Sequence, residues 1–428
     1  MYYDFKHISQ TDILIIGSGP SSILTAYYLS LHYKGLKICI ISKDFINWHC
    51  TYGVFYQQIK DSWLLEIYNK TKLFTRIFPA YANFSYKNKM VHEAKLTNLN
   101  DDYCLLNNEY LFYDILKKLA LNKQVDLVKG TVNNIEKHKN ALNYSVSYFN
   151  NDIMYYTKCK IVLEGSGNYK SIGIKYDDNI KRFKQKFVGY EIKLKENHNI
   201  NKAILLDWYN PYQQKSSNYK QLNKPTFCYI LPISENTLFV EETILVSDKN
   251  KDTYQDLESK LEKRLYDYGF KKYNIIRKEK NEIYLNRTIP SYYNSTSFGI
   301  GVAGNMLNMM SGYSIGYNIY HIPEICNLLV KYDFILEDIY RGYWNIFRQV
   351  IYYINLGGLN LMNDIKDEKE FIEFHKIYFE KIALQDEYHH KLIFHNCDND
   401  INLYNILKSA LLYLDLPKDL LYKMICNV

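Results

Sequence analysis

An apolar run at 11–16 (TDILII) is broken by Gly17-Ser18-Gly19-Pro20-Ser21-Ser22, followed by an apolar-periodic stretch at 23–31 and a second run at 37–41 (KICII). This alternation predicts a strand, a tight turn, a helix and a parallel strand, the unit in which a helix N-terminus faces a pyrophosphate. Downstream, 105–121 has a helical period, whereas 124–135 and 145–162 read as strands. Four β-rich runs, at 187–194, 203–208, 226–231 and 237–246, lie close together and predict a sheet distinct from the nucleotide unit. The stretch 254–268 carries apolar residues at three-four spacing and predicts an amphipathic helix. A strand beginning FGIGVAG at Phe298 is expected to run into a helix-like segment ending at Tyr313, and beyond residue 330 the pattern is aromatic and helical. No internal repeat or low-complexity linker interrupts it.

With 428 residues, 47% of them hydrophobic, the chain can fill two packed domains or one large domain with insertions. Its net charge of +7 comes from lysine, with 7 arginines in the whole chain, beside 44 tyrosines, as A/T-rich codon usage produces in a bacterial or organelle-like source. No arginine cluster or basic-aromatic motif occurs, so no nucleic-acid partner is expected. The positive excess suits contact with an anionic membrane surface. Eight scattered cysteines, with no CxxC and no zinc spacing, predict reduced thiols and no metal site. No run of 18 apolar residues occurs, and the first strand starts too early for a cleavable signal or transit peptide, so a cytoplasmic protein is expected.

Candidate chemistry centres on FVEETIL at 239–245, where Glu241 and Glu242 interrupt an apolar strand. A carboxyl group in apolar surroundings has its charged form disfavoured and can hold a proton for an alkene. Successive strand residues face opposite ways, so only one of the two can reach a given substrate. By spacing alone, catalysis and a salt-bridged pair at a strand edge stand level. Asp207, between an apolar strand and Trp208, is either a partner of the acid or a cap. In the glycine turn the third position is Ser22, and the second strand ends at Ser42, with Asp44 two residues on, where an acidic residue usually grips a ribose.

Several blocks, in order and at similar gaps, resemble those of the FAD-dependent lycopene cyclases of the plant and cyanobacterial type. WHCTYGVF at 48–55, PTFCYILP at 225–232 and FVEET at 239–243 resemble WPxNYGVW, PTFLYxMP and FLEET. LDW at 206–208, LEGSG at 163–167 and 299–313 are similar to MDW, LDATG and GIGxxAGMVHPxTGY. The resemblance implies an α/β flavoprotein of the hydroxylase-like fold. A discontinuous Rossmann-type FAD domain (1–70, 100–170, 290–330) would carry an inserted β-rich substrate domain (71–99, 171–289) and a C-terminal helical region (331–428). It also implies closure of the linear ends of lycopene to β-type rings, a net isomerisation with reduced FAD as non-redox cofactor, NAD(P)H as electron donor and peripheral membrane association. Glu241 would be acid and base, with Thr243 on its face and Asp207 orienting it or stabilising the cation, while Glu242, also in the candidate catalytic set, would face the other side against a structural partner. FAD would meet Gly17, Gly19, Ser22, Ser42, Tyr52, Gly165, Gly167, Gly299, Gly301, Gly304, Met306 and Gly312. Tyr52, Trp208, Phe227 and Tyr229 would line the hydrocarbon tunnel.

The departures from these blocks concentrate on the cofactor. Leu105 stands for a family arginine, Glu164 for an aspartate, Asn305 for a glycine and Asn308-Met309 for His-Pro, and the IPMGG block is replaced at 283–287. Each is survivable, and together they are expected to weaken FAD binding. Two rival readings remain: a flavin monooxygenase or isoprenoid reductase on the same fold, and a non-catalytic carotenoid-binding remnant without flavin.

Overall fold

In the computed structural model, which describes residues 8–86, 89–96, 102–138, 144–167, 171–176, 180–209, 222–248, 251–379 and 418, the first apolar run is strand β1 (Ile13–Ile16), buried along its whole length. It pairs in parallel with β2 (Ile38–Ser42) and with β12 (Ile161–Glu164). β8 (Val125–Lys129) and β18 (Phe298–Gly299) complete a five-stranded parallel sheet in the order β18-β12-β1-β2-β8. Strands buried on both faces explain why these segments read as continuous apolar runs. Helices α1 (Pro20–His32), α5 (Asn108–Leu121) and α7 (Ile315–Lys331) pack alongside, α1 touching both others.

Two small antiparallel sheets flank this unit: β9 (Thr131–Lys137), β10 (Tyr144–Asn150) and β11 (Ile153–Cys159), and β3 (Gly53–Phe55), β4 (Phe74–Phe78) and β7 (Tyr103–Leu106). Short helices α2 (Tyr56–Ile59), α3 (Trp63–Ile67) and α4 (Lys70–Leu73) connect β3 to β4. Two expectations are corrected here. Leu105 and Leu106 belong to β7, and the helix starts only at Asn108. The single strand expected at 124–135 divides at Gly130, where an added Cβ would lie 2.8 Å from the Tyr148 ring and 2.9 Å from the Phe149 carbonyl.

The second large sheet has seven strands: β5 (Ala80–Tyr86), β6 (Lys89–Lys95), β13 (Lys184–Leu194), β14 (Ala203–Asp207), β15 (Phe227–Ser234), β16 (Thr237–Ser247) and β17 (Tyr273–Tyr284). Their order is β17-β13-β16-β15-β14-β5-β6, antiparallel except between β14 and β5. Helix α6 (Tyr254–Asp267) covers one face, placing Leu257, Leu261 and Leu265 against Val188, Tyr190, Val240 and Ile244. A reciprocal cap fixes its start: the Thr253 N–H donates to Asp256 at 2.8 Å, and the Asp256 N–H donates to the Thr253 hydroxyl at 3.1 Å. The other face of the sheet looks toward the nucleotide unit and toward helices α9 (Ile346–Asp364) and α10 (Glu368–Ile377), while α8 (Leu336–Tyr343) packs against α7.

The expected strand-to-helix run at 298–313 is corrected as well. β18 spans two residues, a 3₁₀ turn follows at Gly301–Gly304, and regular helix resumes only at Ile315. The remainder of the C-terminal helical expectation, 380–417 and 419–428, and Cys397 and Cys426, lie outside the described residues. No described helix is long and apolar enough to cross a membrane.

Candidate active site

The turn after β1 is shaped to admit a phosphate. Gly17 has φ +97°, and a Cβ there would lie 3.0 Å from both the Gly165 carbonyl oxygen and the Ser166 Cα, so only glycine fits. Gly19 precedes α1, which begins at Pro20 with no side-chain cap, leaving the first-turn N–H groups to face a groove of about 520 Å³. Gly17, Gly19, Ser42, Tyr52, Gly165, Gly167 and Gly301, seven of the residues named as cofactor candidates, line this groove. Among the described lining residues, Lys43 is the cation. A glycine cradle, an uncapped helix end and a lysine fit the pyrophosphate of a dinucleotide.

Four of the expected cofactor residues, Ser22, Gly299, Gly304 and Met306, are instead buried behind the wall and shape it. The Ser22 hydroxyl points at Gly165, where a Cβ would sit 2.2 Å from its oxygen. Serine is therefore accommodated because residue 165 has no side chain. Gly299 and Gly304 pack backbone to backbone, a Cβ on Gly304 meeting the Gly299 oxygen at 2.2 Å. Gly312 lies in the neighbouring cavity, at φ +79°. Ser42 donates to the Asp44 carbonyl at 2.8 Å and shares a 3.0 Å hydrogen bond with the Ser18 hydroxyl, while Asp44 pairs with Lys129 at 3.0 Å.

The departures from the family blocks have physical answers too. Asn305 adopts the left-handed conformation, φ 59°, which asparagine tolerates better than most non-glycine residues, and its amide bonds the Arg287 backbone in both directions. Asn308 accepts from the Met310 and Ser311 N–H groups, both at 3.0 Å. Glu164, fully buried, accepts from the Ser171 and Ser297 hydroxyls and the Ile172 and Gly173 N–H groups, tying four residues to the end of β12. Leu105 is buried in β7 between Gly53 and Arg76 and offers no charge to a cofactor.

The loop at 48–52 links the groove to a second cavity. The Trp48 indole donates to the Ser18 carbonyl at 3.2 Å, the Asn108 amide to the Cys50 carbonyl at 3.0 Å, and Arg277 to the His49 carbonyl at 2.6 Å. Tyr52, Gly167, Val302, Ser314 and Ile315 line both the groove and this cavity of about 480 Å³. The second cavity reaches the seven-stranded sheet at Gln185, Phe187, Tyr229, Phe239, Glu241 and Glu279.

Glu241 projects into this cavity from the middle of β16. Its register partners are Gly189 on β13 and Tyr229 on β15, and the missing side chain at Gly189 lets the Phe239 ring lie beside it. Burial, then the charge of Glu279, push its pKa from 4.5 to about 8, against a 2.9 Å hydrogen bond donated by Thr243. At neutral pH it is a protonated acid. Tyr103, Tyr229 and Tyr313 stand around it, Tyr313 hydrogen-bonded to the other two, and burial raises all three phenol pKa values. Gly53 makes this cluster possible, since its Cβ would overlap the Tyr103 phenol.

Glu242 and Asp207 lie on the opposite face of the sheet from Glu241, against α6: strand alternation places Glu242 there with a structural partner, whereas the expected place of Asp207 beside the acid is corrected. Arg264 binds Glu242 through Nε at 2.7 Å and NH2 at 3.0 Å, and Asp207 through NH1 at 3.2 Å. Thr226 and Lys260 complete the Glu242 contacts, and the Tyr268 hydroxyl donates to Asp207. Burial pushes the Asp207 carboxyl up to about 6 in spite of Arg264, and burial lowers the Lys260 pKa. These groups form a closed ion-pair network with no opening to the cavity among the described residues. Trp208 is likewise no cavity residue but is wedged between Phe227, Phe371 and His375, with ring centroids 4.9 to 5.4 Å away. Phe227 lines a small apolar pocket beside α10.

Sequence reasoning missed Tyr103, Tyr313 and Glu279. Glu279 lies in RKEKNE, which reads as a solvated charge run, and β17 was not anticipated at all because strong charge hides its alternation. The recurrence of tyrosine in YGVF, YCLL, FCYIL and SGYS was the available signal for the phenol cluster.

In overall fold the chain is similar to flavoproteins of known structure. A geranylgeranyl bacteriochlorophyll reductase-like protein from Thermoplasma acidophilum matches with a TM-score of 0.67 at 12% identity, covering 98% of this chain and 100% of that one. The flavin-dependent brominase Bmp2 matches at 0.63 and 16%, covering 95% and 99%. These likenesses establish the fold, an α/β architecture with a Rossmann-type parallel sheet that those flavoproteins share. By sequence the chain is 24% identical to a lycopene beta cyclase of Capsicum annuum over 77% of its own length and 62% of that protein. It is 24% identical to a capsanthin/capsorubin synthase of Citrus sinensis over 75% and 60%. It thus spans about three fifths of the length of these curated relatives. The family described as "Lycopene cyclase protein" matches across residues 12–349, most of the chain, from the first strand to the start of α9, and the chain belongs to that family.

Proposed function

We propose that this protein is an FAD-dependent lycopene cyclase in carotenoid biosynthesis, with Glu241 as its acid and base. The observation that carries this reading is a carboxyl, its pKa raised by burial, in a phenol-lined cavity that adjoins a glycine-lined groove at the N-terminus of α1. Glu241 gives its proton to a terminal double bond of lycopene, and the neighbouring double bond attacks the cation and closes the ring. The Glu241 carboxylate then takes a proton from the adjacent carbon, so the reaction is a net isomerisation giving a β-type ring. Thr243 orients the carboxyl, and the faces of Tyr103, Tyr229 and Tyr313 favour the positive charge as it forms. FAD would be held by the Gly17–Gly19 turn, the α1 N-terminus, Lys43 and the 165–167 and 301–302 segments. When bound and reduced it supplies negative charge beside the cation.

NAD(P)H as electron donor and peripheral attachment to the membrane that dissolves the substrate belong to the same proposal. The exposed Ile346, Phe347 and Tyr353 on α9 and the net charge of +7 support the attachment. Expression in a lycopene-accumulating bacterium, with pigments separated by chromatography, tests the reading. Cyclic carotene is expected from the wild type and unchanged lycopene from Glu241→Gln. Unchanged lycopene from folded wild-type protein that contains flavin would refute it.

A further inference from the structure

Glu241 does not stand alone on its face of the sheet. Strand β13 lies between β16 and β17, and Gly189 is in register with Glu241 on one side and with Glu279 on the other. Residues directly opposite across a sheet point the same way, so the two glutamates share one row, with Gly189 between them and the uncharged Phe239 ring lying over that glycine. Both line the cavity, and Glu279 is 8% exposed. Its oxygens accept from the Thr51 N–H at 3.0 and 3.2 Å, from the Thr51 hydroxyl at 2.7 Å and from Arg277. Arg277 also binds Glu191 at 3.2 Å, so the trio of Glu191, Arg277 and Glu279 keeps one net negative charge, with Glu279 as its cavity end.

We propose that Glu279 is a positioning residue of the acid site: a fixed anion across Gly189 from Glu241, it favours the protonated form of that carboxyl and faces the carbocation as it develops. This rests on the reading of Glu241 as the acid. The remaining groups around Glu241 do not oppose it. Tyr103 on β7, Tyr229 on β15, Tyr313 before α7 and Cys50 in the loop are neutral at pH 7, the Cys50 thiol being pushed up to about 11 by burial and by both glutamates. Thr243 on β16 and Gln185 on β13 are uncharged, and Glu282 on β17 is paired with Lys184. No lysine or arginine is among the described residues that line the cavity. Two strand spacings, roughly 10 Å, and an effective dielectric of about 20 give the Glu279 charge a leverage of about one pH unit on Glu241.

The test is an infrared pH titration of the flavin-loaded protein, following the protonated carboxyl band that disappears in Glu241→Gln. Glu279→Gln keeps the side-chain shape and is expected to move the Glu241 midpoint down by about one pH unit. Glu279→Asp, which keeps the charge, and Thr51→Val, which loosens the loop but leaves the charge, are expected to hold it near the wild-type value. An unmoved midpoint in Glu279→Gln, or an equal shift in Thr51→Val, overturns the proposal. Should Glu279→Gln not fold, Arg277→Gln is read instead and must move the midpoint up. No step of this readout needs turnover, so a shift in a protein that fails to cyclise lycopene would sink the catalytic reading and leave the electrostatic one standing.

Discussion

Replacing Glu241 with Gln should stabilise the protein at alkaline pH while it abolishes cyclisation. The folded state holds the Glu241 proton with a pKa of about 8, whereas the unfolded chain releases it near 4.5. Stability from this group is therefore complete below about pH 4.5 and is lost as pH rises through 8. Full burial would make ionisation in place cost about 4 to 5 kcal/mol, and the part of the carboxyl that faces the cavity, where water screens it, brings that to about 2 to 3 kcal/mol. Glutamine has the same shape and no charge to lose. Urea unfolding of both proteins between about pH 5.5 and pH 8.5 should show the variant gaining about 2 kcal/mol on the wild type across that range, since other titrating groups cancel in the difference. Parallel stability profiles would refute the reasoning, because they would mean that Glu241 titrates as it does in the unfolded chain.

Three further outcomes are expected. Arg264→Leu leaves Glu242 and Asp207 buried with only Lys260 for charge balance and should cost about 3 to 5 kcal/mol in thermal or urea unfolding, much of it recovered on adding Glu242→Gln and Asp207→Asn. That triple variant should still make cyclic carotene, and its complete loss of activity with intact folding would return those two carboxylates to the catalytic set. Gly189→Val displaces the Phe239 ring, which even a Cβ would meet at 2.7 Å, and crowds Glu241, whose Cβ it would meet at 3.4 Å, and should abolish cyclisation in protein that purifies with its flavin. Gly165→Ala should cost about 1 to 3 kcal/mol through its clash with Ser22, and the added change Ser22→Gly should restore most of it, as a double-mutant cycle will read.

The nucleotide unit was legible because its strands are buried on both faces and its glycines mark a turn with few alternatives, as Ile13–Ile16 and Gly17 illustrate. Glu241 was legible because a carboxyl amid Phe239, Val240 and Ile244 breaks a strong apolar pattern. Its separation from Glu242 followed from strand alternation, and Arg264 emerged as the partner only once α6 was folded onto the sheet. Asp207 misled because a burial signal in sequence does not say which face of a sheet is meant. Glu279 was hidden for the opposite reason: it sits in an edge strand whose outward positions are charged, so its inward carboxyl looks like its neighbours. The phenol cluster joins Tyr103, Tyr229 and Tyr313 from three distant parts of the chain, and no local pattern encodes such a meeting.

Ser22 and Gly165 also constrain which sequences this contact can accept. In the blocks that this chain resembles, the turn ends in glycine and LDATG places alanine where Gly165 stands, so here the small excess of volume sits on the opposite wall of the contact. A Cβ at 165 would lie 2.2 Å from the Ser22 hydroxyl oxygen, which makes serine with alanine the strained combination and two glycines the relaxed one. The identity of each residue therefore sets what the other tolerates, and a substitution judged at one position alone would be misjudged.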